Sequence, residues 1–588
     1  MRRRNSHSEK DRQLKKLLLV STVLGTAILA ACGGGSSDEP AAAATPLALT
    51  GVAATGAAIS GQTVEAKCGS GTGTATSNAD GSYAITVMGG VLPCVLKITP
   101  ASGPALYSVA TGTGSSATAN ISPVTQLVVA SLTGGDPAAY FTGFDATAAA
   151  AVTDASVTAA VSAVKTTLLA AGVDLGTIDV LAGTLTPATG TTAGNAYDQA
   201  LDALAARLVT AGTTLDTLTK AVAATSPAAP PTAPAATTGV ASLPADLLLK
   251  PAASHCAALR SGSYRIVLPT KGAALAEQTG IVTVDAQTLA VTYTEGSSGM
   301  WTAAADACHF TDDGGKTDMF VTQAGVIVVR YTNDDGASYG VGVGFPVQSH
   351  AVAALAGTWN AIGLMDSESG GAHTAVTGTF SVDGMGALAG SVWCQNDATW
   401  GLTGADCVTD INDTGSLKTN AAGGFDVFDA GSSTPSGRVF AYRAGNGDLM
   451  LLLVEDDGRL LILSQKRSNV LPTVGVKSTT WNATLNGQLK APAPIGISSN
   501  TIQSVDAATG SWIRQQHAAN GAAFDYSETL FANNPRDGYT FRPAATTTAV
   551  GGTPVEIREF DTLALRGMGF SAVVTPSNRS FILSVNQP

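Results

Sequence analysis

Met450-Leu451-Leu452-Leu453-Val454-Glu455-Asp456-Asp457-Gly458-Arg459-Leu460-Leu461-Ile462-Leu463 sets two apolar runs on either side of an acidic turn that ends in glycine. Each run is too short for a helix and has the right length for a strand, and Asp-Gly supplies the turn residues, so the stretch reads as a β-hairpin. Related turns lie near Asp334-Asp335-Gly336 and Ser577-Asn578-Arg579. The hairpins close three repeats. Their openings are Ser261-Gly262-Ser263-Tyr264-Arg265, Ala356-Gly357-Thr358-Trp359-Asn360 and Ser478-Thr479-Thr480-Trp481-Asn482. A second marker follows the aromatic by 21, 24 and 25 residues: Thr283-Val284-Asp285, Ser381-Val382-Asp383 and Ser504-Val505-Asp506. Units of about 100 residues are too long for propeller blades and suit self-contained barrels or sandwiches of seven to nine strands.

The fold class expected is therefore mainly β and multidomain, ending in three repeated antiparallel β-barrel or meander units over 251–350, 351–468 and 475–588. Equal placement of Tyr264, Trp359 and Trp481 in the repeats points to barrel-core aromatics rather than to one binding site. The opening Gly357-Thr358-Trp359 resembles the Gly-x-Trp start of lipocalin-like barrels. That resemblance implies a calycin-like barrel able to carry a small apolar or glycan ligand.

Upstream, residues 226–250 form a linker. Its Pro227, Pro230, Pro231 and Pro234 favour extended polyproline conformation. An Ala-rich helical domain is expected over 121–225, with helices at 122–132, 145–171, 195–210 and 213–224. Ser122 suits the N-cap of the first, and Pro123 its first turn. Alanine buries little area, so this unit needs a neighbour to dock on.

Residues 47–120 alternate apolar and polar positions, as in Ser82-Tyr83-Ala84-Ile85-Thr86-Val87, and Asn78-Ala79-Asp80-Gly81 supplies a hairpin turn between two strands. With its Gly-x-x-Val strand and later Asp-Gly-Ser-Tyr, the segment resembles the carboxypeptidase regulatory-like domain. This implies an immunoglobulin-like β-sandwich that serves as a spacer or binding module without peptidase chemistry.

At the N-terminus seven basic residues precede the uncharged, mostly apolar run Leu17 to Ala31. As a helix that run spans about 22 Å, short of the ~30 Å bilayer core, so 1–31 reads as a signal peptide. It ends in Leu29-Ala30-Ala31-Cys32, followed by Gly33-Gly34-Gly35, and resembles a bacterial lipobox. The resemblance implies cleavage before Cys32, lipid attachment to Cys32 and its new amine (palmitate among the acyl groups), and anchoring in a bilayer. Gly33, in place of Asp, implies the outer membrane of the cell envelope. Residues 32–46 then form a tether of ~20 Å root-mean-square reach. Removing the signal region takes away seven of 32 basic and two of 44 acidic residues, leaving 25 against 42 and a net charge of −17. Such a chain is not expected to bind nucleic acid.

With Cys32 assigned to lipid, six cysteines remain, two in each of three segments. Fifteen connectivities are possible, and local pairing joins Cys68 with Cys94, Cys256 with Cys308 and Cys394 with Cys407. An oxidising compartment outside the cytoplasm permits these bonds. His255 and His309 adjoin Cys256 and Cys308. Adjacent residues on a strand face opposite ways, however, so a disulfide is favoured there over zinc.

No catalytic signature emerges. Gly315-Lys316-Thr317 lacks the first glycine of a phosphate loop, whose place Phe310 takes, and reads as a turn. Ser162-Ala163-Val164-Lys165 sits within an Ala-rich helix. Asp410-Ile411-Asn412-Asp413-Thr414-Gly415 begins like a calcium loop but has Ala421 where the bidentate Glu belongs. No cofactor, metal or catalytic residue is therefore expected. The expected role is a membrane-anchored envelope lipoprotein that binds or scaffolds an envelope protein or glycan. A ligand carrier is the alternative, and an envelope hydrolase a more remote one.

Overall fold

The computed structural model describes residues 45–588 except 191, 227–242, 270–274, 313, 333–338, 366–373, 395–406, 411–413, 456–459, 487–494, 519–524, 535 and 579. Cys32, the turns at Asp334–Gly336 and Asp456–Gly458, and residues 411–413 of the calcium-like loop lie outside the described residues.

The chain from Pro46 folds first into seven strands in two sheets. Ser82–Met88, Pro46–Val52 and Ser116–Thr118 make one; Thr72–Thr76, Thr63–Ser70, Val91–Ile98 and Leu106–Ala110 make the other. Strict alternation buries Tyr83, Ile85 and Val87 and exposes Ala84, Thr86 and Met88, so the first sheet has one apolar face. It packs on Val64, Leu96 and Ile98 of the second. The turn at Asn78–Gly81 does not make the expected hairpin. Thr72–Thr76 pairs with Thr63–Ser70 and Ser82–Met88 pairs with Pro46–Val52, so the turn carries the chain from one sheet to the other. Gly81 still adopts the positive φ, +81°, that the turn requires.

Helices follow at Pro123–Thr133, Pro137–Thr142, Ala146–Ala151, Asp154–Ala170, Ala196–Thr210 and Leu215–Ala224. The single helix expected over 145–171 is two. Val152 is extended, and Thr153 caps the second helix through a reciprocal capping box with Ser156. Docking compensates for the small side chains. Leu127, Val164, Tyr197, Leu218 and Leu248 share one apolar cluster with Tyr264, Val282, Trp301 and Phe310 of the first barrel. The Arg260 guanidinium fixes the contact by donating to the carbonyls of Ala211 and Lys250, each at 2.9 Å.

Three eight-stranded antiparallel barrels complete the chain. The first runs in sequence order from Gly262–Val267 to Tyr339–Pro346, which pair to close it. In the second, Gly357–Met365 pairs with Leu460–Gln465 and with Thr374–Val382. Pairing of Thr374–Val382 with Ala387–Cys394 closes the ring, and Cys407–Asp410 adds to its rim. The third runs from Lys477–Asn486 to Ser580–Asn586, interrupted by the small hairpin of Ala545–Thr548 and Pro554–Ile557.

The first two interiors are apolar. In the first, Gly340, Gly342 and Gly344 alternate along one strand, leaving room for the Tyr331 ring, Leu268 and Ile266; a Cβ at any of them would lie within 2.5 Å of those groups. In the second, Trp359, Val376, Phe425, Leu451 and Leu463 fill the core. The opposite faces of the strands Leu449–Glu455 and Leu460–Gln465 are apolar too, which is why both runs of the opening hairpin lack alternation. Leu452 and Ile462 point outward into a further core shared with Phe320, Val328 and Phe345 of the first barrel and Trp481, Tyr539 and Leu583 of the third. Burial of a large side chain of this kind contributes about 1.5–3 kcal/mol, so the junction is a major source of cohesion. Tyr442 donates across it to the Ala324 carbonyl at 2.5 Å, and the Tyr539 hydroxyl lies 2.8 and 2.7 Å from the carbonyls of Ala361 and Gly378.

Candidate functional site

The third barrel is built the other way round from its neighbours. Strand register places Trp481 on the same face as Ile513, Ser527 and Thr529, which meet solvent, while the buried Glu528 and Leu530 occupy the opposite face. The inward face therefore carries polar groups beside a small apolar cluster of Leu530, Phe560 and Val573, while Trp481, Ala483, Phe581, Leu583 and Val585 point out toward the shared junction.

At the centre of that interior stands Glu528. Arg514 lies directly opposite it on the neighbouring strand, which is why the two side chains meet. Arg514 Nε donates to Oε1 at 2.5 Å, Gln516 Nε2 to the same oxygen at 3.0 Å, and Arg542 Nη1 to Oε2 at 2.6 Å. The carboxylate side chain is wholly enclosed, and the two guanidiniums are 21% and 13% exposed. The Phe560 ring backs both cations, its centroid 4.0 Å from Arg542 Cζ and 5.9 Å from Arg514 Cζ. Burial alone would raise the Glu528 pKa, but the two guanidiniums outweigh it and hold the group below the usual carboxylate range. Burial likewise raises the Tyr526 hydroxyl, and the Glu528 charge adds to it. Along the same wall Asn482 donates to Ser498 Oγ at 2.6 Å and accepts from Ser584 Oγ at 2.7 Å.

This arrangement is a fixed charge cluster. A carboxylate kept ionised between two cations is a poor proton donor and a weakened base, so the geometry suits polar recognition or structural cohesion better than acid–base chemistry. An open depression of about 300 Å³ lies elsewhere, on the second barrel, lined by residues that include Thr414, Ser416, Lys418, Phe428 and Asp429. Lys418 Nζ sits 4.2 Å from the Phe428 ring centroid there.

The residues singled out from sequence are dispersed. Tyr264 is fully buried in the first barrel, where its hydroxyl donates to the Arg260 carbonyl at 2.8 Å and accepts from the Arg260 amide at 3.0 Å. Trp359 is fully buried inside the second, donating to the Leu355 carbonyl at 2.8 Å. Trp481 does not occupy the equivalent place. It lies outside its barrel at the junction, 5.1 Å from Phe320, and among the described residues its Nε1 has no hydrogen-bond partner. Three disulfides form: Cys68–Cys94, Cys256–Cys308 and Cys394–Cys407. The first and third join residues directly opposed on neighbouring strands. Since the second uses both sulfurs, His255 and His309 are left to other work. His255 meets Phe310 edge-on, and His309 stacks on Phe320 and bonds Asp318 at 3.0 Å. Lys165 is likewise committed, donating to the carbonyls of Gly176 and Ile178. Gly315-Lys316-Thr317 is a turn whose amides at Lys316 and Thr317 are capped by Asp312.

Glu528, Arg514 and Arg542 escaped the sequence reading. Alternation in Trp512-Ile513-Arg514-Gln515-Gln516 signals a strand, but joining its Arg to Glu528 requires the register.

No family model matches the chain, and no curated protein matches it. Among solved structures, two variants of transferrin binding protein B from Haemophilus parasuis are similar, with 9% and 8% identity, each over 53% of this chain and over 66% and 62% of theirs, at TM-scores of 0.17. The intact Ap-TbpB structure, with N and C lobes, is similar over 56% of this chain and 96% of its own, at 8% identity and a TM-score of 0.11. The chain thus spans slightly less than two thirds of the Haemophilus proteins it matches.

Proposed function

We propose that the chain is a lipid-anchored protein of the bacterial outer membrane, attached through Cys32, and that it binds a protein or glycan partner without catalysis. The observation that carries this reading is the packing. Side chains of the chain itself occupy the first two barrel interiors, and outer faces of all three barrels merge into one core, leaving solvent-facing walls and loops to meet a partner. The three disulfides fit an oxidising compartment. Residues 47–120 and 121–225 would then act as a carboxypeptidase regulatory-like and helical stalk between the tether and the barrels. Among the described residues no helix is long and apolar enough to cross a membrane, and the anchor in this reading is lipid.

The mass of the mature N-terminal peptide tests the anchor: a cysteine-initiated peptide carrying acyl groups is expected, and Cys32→Ser should release the protein from the membrane fraction. An unacylated wild-type peptide overturns the reading. The polar interior of the third barrel favours one alternative, carriage of a small polar ligand such as a glycan. Native mass spectrometry of the envelope-purified protein would then show a bound mass that is lost in Glu528→Gln.

A further inference from the structure

One end of the sandwich carries no charged residue in the segments that form it. Pro46 pairs with Met88, and the Thr45 carbonyl accepts from the Gly89 amide at 3.2 Å, so the first described residues lie beside the Met88-Gly89-Gly90-Val91 turn. Ser70 Oγ bonds the Gly89 carbonyl at 2.6 Å, and the Ala48 amide donates to the Ser115 carbonyl at 2.8 Å. These bonds bring the segments 69–72, 86–92 and 111–116 to the same end, and they contain no Asp, Glu, Lys, Arg or His. Met88 and Val91 stand out from this uncharged surface, 61% and 58% exposed.

We infer that this end is a membrane-contacting surface, with Met88 and Val91 resting in the interfacial layer of the bilayer that holds the lipid anchor. The inference builds on the anchoring reading above. Twelve residues lie between Cys32 and Thr45, so the chain cannot hold the two more than about 45 Å apart. The end where Thr45 emerges is thus the part of the described protein that the chain keeps nearest the lipid. Charge permits contact at this end, because a bilayer with anionic headgroups repels the acidic surfaces of a chain of net charge −17 but not a neutral tip. Two apolar side chains add only a small favourable contribution. That is enough to orient an already tethered protein, though not to bind it alone.

The test uses full-length acylated protein in phosphatidylcholine vesicles with brominated acyl chains. An environment-sensitive fluorophore is placed at Met88→Cys or, as a control, at Val550→Cys, an exposed apolar site in the third barrel. Blue-shifted emission quenched by bromine at position 88, with water-like emission at 550, is the expected result. Equal, unquenched emission from both sites overturns the inference. So does a shift at 88 that depends on protein concentration and ignores bromine, which would mean contact with a second copy. The acyl mass of the N-terminal peptide, measured on the same sample, separates the two failures. Its absence overturns the anchor reading together with this one, whereas acylated protein with a wet position 88 overturns this one alone.

Discussion

Glu528→Gln removes the negative charge from the third barrel while keeping its shape. The carboxylate side chain is fully enclosed and joined to Arg514, Arg542 and Gln516. The substitution therefore leaves two half-sequestered guanidiniums facing a neutral amide that must also turn an NH₂ toward one of them. Breaking a buried ion pair by removing one partner costs about 3–5 kcal/mol; with the cations 13–21% exposed, the low end of that range is expected. Global unfolding of so large a chain is not a two-state process, so the assay should be local. Amide exchange followed by mass spectrometry over Ser511–Ala518, Tyr526–Ala532 and Tyr539–Arg542 should accelerate, with exchange in the second barrel unchanged. The pH dependence has a definite sign. Because the folded-state pKa of Glu528 lies below its unfolded value, its contribution is complete above the unfolded pKa of about 4.3 and is lost as pH falls through the folded one. Once intrinsic exchange at each pH is divided out, protection of the wild-type barrel should thus fall in acid, and the variant should lose that dependence. Exchange in these three strands that is identical in wild type and Glu528→Gln at neutral pH would refute the account of a cohesive charge cluster.

Other consequences are quicker to check. Removing Cys256–Cys308 should loosen its barrel by about 1 kcal/mol more than removing Cys394–Cys407 loosens its own, because closure entropy grows with the logarithm of loop length and the separations are 52 and 13 residues; amide exchange within each barrel, measured on paired Cys→Ser variants, tests this. His350 is held neutral by burial and by Arg443, its pKa lowered to about 4, so protonating it in acid works against the folded state. Its stabilising contribution is whole above pH ~6.5 and declines as pH falls toward 4; an NMR titration showing His350 protonated at pH 6 contradicts this. Trp359→Phe should destabilise more than Trp481→Phe, since the first loses a buried bond to Leu355 and the second loses an indole N–H without a partner among the described residues. Gly342→Ala places a Cβ 2.4 Å from the Val267 carbonyl and should cost about 1–3 kcal/mol, read as a lower melting temperature.

What could be read from the chain beforehand depended on how local the cause was. Strand runs, turn residues, and caps such as Ser122 act over a few positions, so the β architecture and the helical insert were legible in sequence. Features set by distant neighbours were not. Val152 and Thr153 break the expected long helix because capping there outweighs the uniform alanine pattern on either side. The Asn78–Gly81 turn has hairpin chemistry, yet each flanking strand finds its partner elsewhere. The N-terminal Cys32 rests on motif resemblance alone, and no packing argument reaches it.

The third repeat shows why similar openings need not mean similar interiors. Trp359 and Trp481 hold the same place in their sequences, but a strand presents each residue to one of two faces, and only the outer neighbours decide which face is the dry one. The second barrel buries both faces of its central strands, so its inward Trp359 is core under any packing. The third barrel meets its neighbours along Lys477–Asn486 and Ser580–Asn586. That contact draws Trp481 outward to Phe320 and leaves Asn482, Ser584, Arg514 and Glu528 to line the inside. A barrel that turns much of its apolar wall toward its neighbours keeps only a small apolar cluster inside, Leu530, Phe560 and Val573, and fills the rest of its interior with ion pairs and hydrogen bonds. Cohesion among the barrels and the polar character of the third interior therefore have one physical cause, and a change that weakened the junction at Trp481 would be felt on both sides of that wall.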